Sequence, residues 1–310
     1  MPVLVFILLM VCPPAESSSR SSHPEIPADR DRMYGHVEVL SSVSPPRNFA
    51  NLESLNSVAD YISAKFKSLY ARVDSQNYKA GENQYRNIIC SFGPETGERI
   101  IVGAHYDVAG SQPGADDNAS GVAGLLEIAR LLDSLKPDLK YRVDLAAYTL
   151  EEPPFYRTDL MGSAVHAWSL SHAGVQVRAM ICLEMIGFFT EENSQEYPAF
   201  FLDWMYPKRG NFIAVVGKWG QGDLVDHMEA FMKQGSNIDV QSLCAPRLLP
   251  AIDLSDHLNF WNRGYPAVMI TDTANYRNPN YHNITDTIDT LDFEKMAEVV
   301  KGVYWALVNL

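Results

Sequence analysis

The stretch Gly114-Ala115-Asp116-Asp117-Asn118-Ala119-Ser120-Gly121 joins an apolar run to a helical pattern. Upstream, the strand-like run Arg99 to Ala104 leads into Gly103-Ala104-His105-Tyr106-Asp107. Downstream, Val122, Leu125, Leu126, Ile128, Ala129 and Leu132 recur at three-to-four spacing, so one helix face is buried from Gly121 to Lys136, and Pro137 stops it. Glycines and acids therefore occupy a strand-to-helix connection. Taken alone, they read as an Asp-Asn turn with Ser120 as helix cap.

The same alternation continues outward. Ala28 to Ser42 reads as a polar-faced helix. After Pro45-Pro46, Asn51 is expected to cap a helix that buries Leu52, Leu55, Val58, Ala59, Ile62, Phe66 and Leu69. Strands are expected at Tyr85–Phe92, Arg99–Ala104, Tyr141–Leu150, Val177–Ile186, Phe212–Gly217 and Ala267–Thr271. Further helices fit Leu160–His172, Asp223–Lys233, a short one capped by Ser255 through Trp261, and about Asp292 to Val308. Several strands are apolar on both faces. The fold class is therefore α/β, a three-layer α/β/α sandwich around a central mixed, largely parallel sheet.

The 310 residues are 46% hydrophobic, enough for one large core, expected over 28–310. Lys plus Arg is 25 against 38 for Asp plus Glu, a net charge of −13. That acidity argues against nucleic acid or an anionic membrane as partner. Residues 1–22 read as a signal peptide-like segment and a Ser-rich tail. The apolar run ending at Cys12 is too short for a membrane span and lacks a basic leader. A secreted or periplasmic location follows. Cys12 offers a lipid-anchor reading, against which Val11 is bulky. Cys90 and Cys182 lie in apolar runs as small hydrophobes, and no CxxC pair is present.

Ligands of open α/β sheets bind beyond the carboxyl ends of strands. There the chain carries His105 and Asp107, Asp117, Glu151 and Glu152, Glu184, and His282. Imidazoles and carboxylates suit a hydrolytic zinc. Asp107 is placed to hold the second ring nitrogen of His105. Glu151 and Glu152 repel each other beside Pro153-Pro154; a dication would relieve that and leave one as a base. Glu184, between Leu183 and Met185, is costly to bury without a cation, a proton or an exit from the sheet. Each of these residues alone also fits a turn, a solvated loop or a loop histidine.

Taken in order, His105-Tyr106-Asp107, Gly114 to Gly121, Glu151-Glu152-Pro153-Pro154, Leu183-Glu184-Met185, Ser255-Asp256-His257 and Tyr281-His282 resemble the motifs of secreted bacterial-type dizinc aminopeptidases. That superfamily also contains glutamate carboxypeptidase and glutaminyl cyclase. The resemblance covers about Met33 to Leu310 and implies a zinc exopeptidase fold with two Zn2+ per chain. It implies that Asp117, joined to Asn118 by a cis peptide, bridges both metals. His105 and Glu184 would complete one site, and Glu152 and His282 the other. Glu151 would be general base towards a metal-bridged water. Tyr281 would donate to the oxyanion or simply pack. The implied substrates are peptides with a free N-terminus.

Glu184 departs from the family, whose best-known members carry Asp there. By the resemblance His257 is not a ligand but lines the pocket or caps the helix at Ser255. Arg277 would meet a substrate carboxylate or form a loop salt bridge. Pocket walls are expected from 188–206 and 243–252. Two rival readings are a single-zinc glutaminyl cyclase-like transferase, which normally lacks Asp-Asn-Ala-Ser-Gly, and a non-catalytic relative, which would have lost ligands.

Overall fold

Apolar residues alternate along the strands so that each strand feeds two cores, one on either side of a single sheet. The computed structural model describes residues 23–310; the expected export segment, the Ser-rich stretch and Cys12 lie outside them. The strands are β1 (Arg72–Ala80), β2 (Asn83–Phe92), β3 (Arg99–His105), β4 (Arg142–Tyr148), β5 (Val177–Glu184), β6 (Phe212–Lys218), β7 (Asp239–Ala245) and β8 (Ala267–Thr271). Their order across the sheet is β1-β2-β4-β3-β5-β8-β6-β7. Pairs β3/β4, β3/β5, β5/β8 and β6/β7 are parallel; β1/β2, β2/β4 and β6/β8 are antiparallel.

The helices are α1 (Arg30–Ser41), α2 (Leu52–Lys67), α3 (Gly121–Leu135), α4 (Gly162–His172), α5 (Gly222–Gly235), α6 (His257–Asn262) and α7 (Phe293–Asn309). Val143, Leu145 and Ala147 of β4 pack with α1, α2, α3, α5 and α7; Ala146 and Tyr148 pack on the other side with α4 and α6. This is the expected α/β/α sandwich, with most helical mass on one face. Among the described residues no helix is long and apolar enough to cross a membrane.

The strands β1 and β7 have no counterpart in the sequence reading. Both are sheet edges. β1 is half-exposed along its length, and β7 buries only alternate residues, so neither shows an apolar run. The expected caps also differ. Asn51 makes no side-chain cap bond and donates instead to the Pro46 carbonyl. The hydroxyl of Ser120 donates to the Asp116 carbonyl rather than capping α3. The amide oxygen of Asn118 takes the Gly121 N–H in its place.

The strand order reverses around β3: the chain passes from β3 to β4 on one side, then to β5 on the other. Such a switch point leaves a crevice at the carboxyl ends. His105 ends β3 and Glu184 ends β5, and by alternation both fall on the α4/α6 face, with Ile101 and with Met180 and Cys182.

Candidate metal centre

Five side chains from five separate segments converge over that crevice. The His105 Nε2 lies 3.4 Å from Asp117 Oδ1 and 3.4 Å from Glu184 Oε2. The His282 Nε2 lies 3.2 Å from Asp117 Oδ2 and 3.4 Å from Glu152 Oε1. Asp117 thus turns one oxygen to each histidine. A tetrahedron with zinc-ligand arms of about 2.0–2.1 Å has edges of about 3.3–3.4 Å. In the two triads, His105-Asp117-Glu184 and Asp117-Glu152-His282, the histidine-to-carboxylate edges of 3.2–3.4 Å come close to that spacing, and all ligand atoms of each triad lie within 4.8 Å of one another. Asp117 Oδ2, Glu152 Oε1 and His105 Nδ1 are buried with no hydrogen-bond partner. Buried polar atoms are rarely left so unless something else meets them. Donor type, spacing and unpartnered atoms all fit zinc.

The charges interlock. Burial works against a charged ring at His105, but Glu184, Asp107 and Asp117 outweigh it and hold the ring protonated well above its usual value. Burial likewise opposes charge on His282, and Asp117 and Glu152 still raise it to about 10. Burial would raise Asp117, yet the two histidines pull it below the ordinary carboxylate range. Burial, then Asp117, pushes Glu152 up to about 7 against the pull of His282.

Glu151 is buried, and its Oε1 has no partner. It brings a donor atom within 4.8 Å of those of His105 and Glu152, which places it beside both triads. Burial first, and then Glu152 and Glu184, push its carboxyl well above the normal range despite His105. Asp107 takes the backbone N–H groups of Glu151 and Glu152 at 3.2 and 3.1 Å. Its Oδ1 is 3.6 Å from His105 Nδ1, longer than a hydrogen bond. Its carboxylate therefore fixes the Glu-Glu segment as well as flanking the ring.

The tight loop that carries Asp117 begins at Gly114, whose φ is +65° and where a Cβ would stand 2.3 Å from the Asp117 carbonyl oxygen. The Asp117–Asn118 peptide is cis. The Asn118 side chain then grips β5 on both sides of Glu184. Its amide donates to the Leu183 carbonyl at 2.8 Å, and its oxygen accepts the Met185 N–H at 3.1 Å. The longer arm of Glu184 reaches His105 and is steadied by Ser255, whose hydroxyl donates to Oε2 at 2.6 Å. Ser255 therefore does not cap α6.

Two further residues stand elsewhere than expected. His257 is fully buried, with Nε2 2.8 Å from the Ile252 carbonyl oxygen and its ring edge-on to Trp261, and it is not among the residues that line the pocket beside Glu184. Arg277 is buried too, donating to Gln195 and the Phe212 carbonyl and lying over the Phe212 ring. It forms neither a loop salt bridge nor an open anion site.

Beside Glu184 opens an apolar pocket with a cavity volume of about 100 Å³. Tyr197, Leu202 and Tyr206 from one expected wall line it with Leu243 and Ile252 from the other, and Tyr281 closes it. Phe200 and Trp204 point outward instead, 56% and 79% exposed. Tyr281 stacks on His282 with centroids 3.9 Å apart, and burial pushes its phenol far above the usual value, so it stays a donor.

Several buried polar residues at the site had drawn no attention in the sequence: Arg47, Asp272, Asn278 and Asp286. Asp116 accepts from Gly187 N–H and Asn278, and burial raises both Asp116 and its neighbour Asp272. Asp286, four residues after His282, was the most findable, since it puts a carboxylate on the same loop as that histidine.

The pattern of Peptidase family M28 matches residues 87–306. The chain is 47% identical over 291 residues to YfbL, an uncharacterized protein of Escherichia coli (strain K12), covering 91% of this chain and 88% of that one. It is 23% identical over 312 residues to a probable leucine aminopeptidase 1 of Trichophyton verrucosum (strain HKI 0517), covering 90% and 77%. In fold it is similar to LapB of Legionella pneumophila, with a TM-score of 0.72 and 22% identity over 92% of this chain and 73% of that one. The match spans β2 to α7 and takes in every residue of both triads, so the chain belongs to peptidase family M28.

Proposed function

We propose that the chain is a zinc-dependent aminopeptidase, removing the first residue of peptides with a free N-terminus. The observation that carries this reading is Asp117, whose two oxygens face two histidines at the edge lengths of two zinc tetrahedra. His105, Asp117 and Glu184 would hold one ion, and Asp117, Glu152 and His282 the other. Zinc there would polarise the scissile carbonyl, acidify a water and offset the repulsion among the carboxylates.

The chain's own groups do the rest. Glu151 stands free of the triads as the base that takes the proton from water and delivers it to the leaving amine, a role worth about 10²–10⁴-fold. Tyr281, held flat on His282, donates its O–H to the oxyanion. The carboxylates attract the substrate's α-ammonium, and the apolar pocket receives the first side chain. A secreted or periplasmic location and the N-terminal signal segment belong to the same proposal, supported by the apolar run before Cys12.

Metal analysis should find close to two zincs per chain; about one favours a cyclase-like transferase, and none a non-catalytic relative. On aminoacyl chromogenic substrates, Glu151→Gln should lower kcat about 10²–10⁴-fold with zinc content unchanged. Full activity in that variant would remove Glu151 as base.

A further inference from the structure

The loop that presents Asp117 is held by two buried residues of opposite charge, one on each side. Arg47 is 1% exposed, and each of its hydrogen bonds goes to a backbone carbonyl. It donates to Tyr106 at 2.8 Å, Leu40 at 2.9 Å, Gly114 at 2.7 Å, and Pro113. Asp286, fully buried, does the converse. Its Oδ1 accepts the Asp116 N–H at 2.9 Å, its Oδ2 the Asp117 N–H at 3.1 Å, and its carbonyl the Ala115 N–H at 3.2 Å. The guanidinium takes the carbonyls of 113 and 114; the aspartate takes the amides of 115 to 117.

Asp107 holds the Glu151 and Glu152 amides in the same manner. Each ligand histidine is thus followed closely by an aspartate that grips the backbone of another ligand segment. The two ties are not equivalent. His105 and Glu184 end neighbouring strands of the sheet, so that triad has a rigid frame of its own. His282 lies in an irregular loop outside the sheet, where the nearest backbone bonds are local turns, such as Asn283 N–H to the Asn280 carbonyl and Asp286 N–H to the Asn283 carbonyl. Asp286 ties that loop to the backbone of Asp116 and Asp117, beside the His282–Asp117 contact and the hydrogen bond from Asn278 to the Asp116 carboxylate.

We infer that Asp286, opposed by Arg47, is a positioning residue that presents the two oxygens of Asp117 to the two metal positions. The position built on Glu152 and His282 depends on it more than the one built on His105 and Glu184. This rests on the dizinc reading above.

The test is zinc affinity rather than turnover. Full-length protein stripped of metal is titrated with zinc against a chromogenic chelator, as wild type, Asp286→Asn and His282→Ala. The asparagine keeps the shape but offers one acceptor where two amides need one each. The site that His282→Ala abolishes should weaken about 10–100-fold in Asp286→Asn, and the other by less than about threefold. A general loosening of the fold would weaken both alike. Equal losses at the two sites, or none, overturn the inference. Wild-type protein that takes up no zinc overturns the metal reading itself, a separate failure visible before any variant is made.

Hydrogen exchange on zinc-free wild-type protein requires no variant to fold. The Asp116 and Asp117 amides should exchange more slowly than those of Tyr281 to Asn283. Asp116 and Asp117 amides that exchange at the rate of an unstructured chain would show that nothing holds the loop before metal arrives and would sink the clamp.

Discussion

Tyr281 is where two roles can be separated at a single atom. Its ring supports His282 by stacking, 18° from parallel, and only its hydroxyl can serve the reaction. Tyr281→Phe keeps the stack and removes the donor. The expected outcome is a fall in kcat on the order of 10²-fold, with KM and zinc content near wild type. Steady-state kinetics beside metal analysis checks this; unchanged kcat would leave Tyr281 as a packing residue. Glu184 shows the other residue-scale lesson. As a lone acid in an apolar strand it was conspicuous in the sequence, because a buried carboxylate demands a partner. Its partner Ser255 was read as a helix cap, since nothing in Ser255-Asp256-His257 says that the hydroxyl turns back to β5.

Elements matter here mainly through their ends. The first residue of α3 is Gly121, and a Cβ there would stand 2.3 Å from Asn118 Oδ1 and 2.7 Å from the Leu183 carbonyl oxygen. Helix propensity alone favours alanine by about 1 kcal/mol. The contact with backbone cannot give way so easily, so Gly121→Ala should destabilise the zinc-free protein by about 1–3 kcal/mol. Urea unfolding measures it, and a gain in stability would show that α3 can shift away from β5. The central strands and long helices were legible because their faces are apolar at regular intervals. β1 and β7 were not, because an edge strand needs only half the burial and its polar residues resemble a loop.

At the scale of the whole molecule, acid sensitivity follows from buried imidazoles outside the two histidine–carboxylate triads. Burial pushes His166, whose Nδ1 lies 2.9 Å from the Tyr148 hydroxyl, down to about 4 from the usual 6.5. His257 is pushed down to about 4 for the same reason. A depressed folded-state value favours the neutral ring, so the stabilisation is complete above about pH 6.5 and declines as pH falls towards about 4. Each such ring steepens the loss by up to about 1.4 kcal/mol per pH unit. Buried carboxyls with raised values, such as Asp256 and Asp272, act in the opposite sense and lose their contribution as pH rises towards 7. The useful comparison is therefore a difference. Between pH 6.5 and 4.5, zinc-free His166→Gln should lose less stability than wild type in urea unfolding; equal losses would clear the ring.

The sequence by itself determined the α/β/α class, the long elements and the types of residue at the strand ends. Hydrophobic period and a charge in an apolar run are local properties, readable from neighbours in the chain. Only the tertiary structure decided which oxygen of Asp117 faces which histidine, and that Arg47, Asn118, Ser255 and Asp286 hold those groups in place. Those bonds join segments far apart in the chain, and several end on backbone groups that every residue possesses. No residue identity announces them. Gly114 to Gly121 therefore reads locally as a turn, and its meaning comes from four other segments brought to its side.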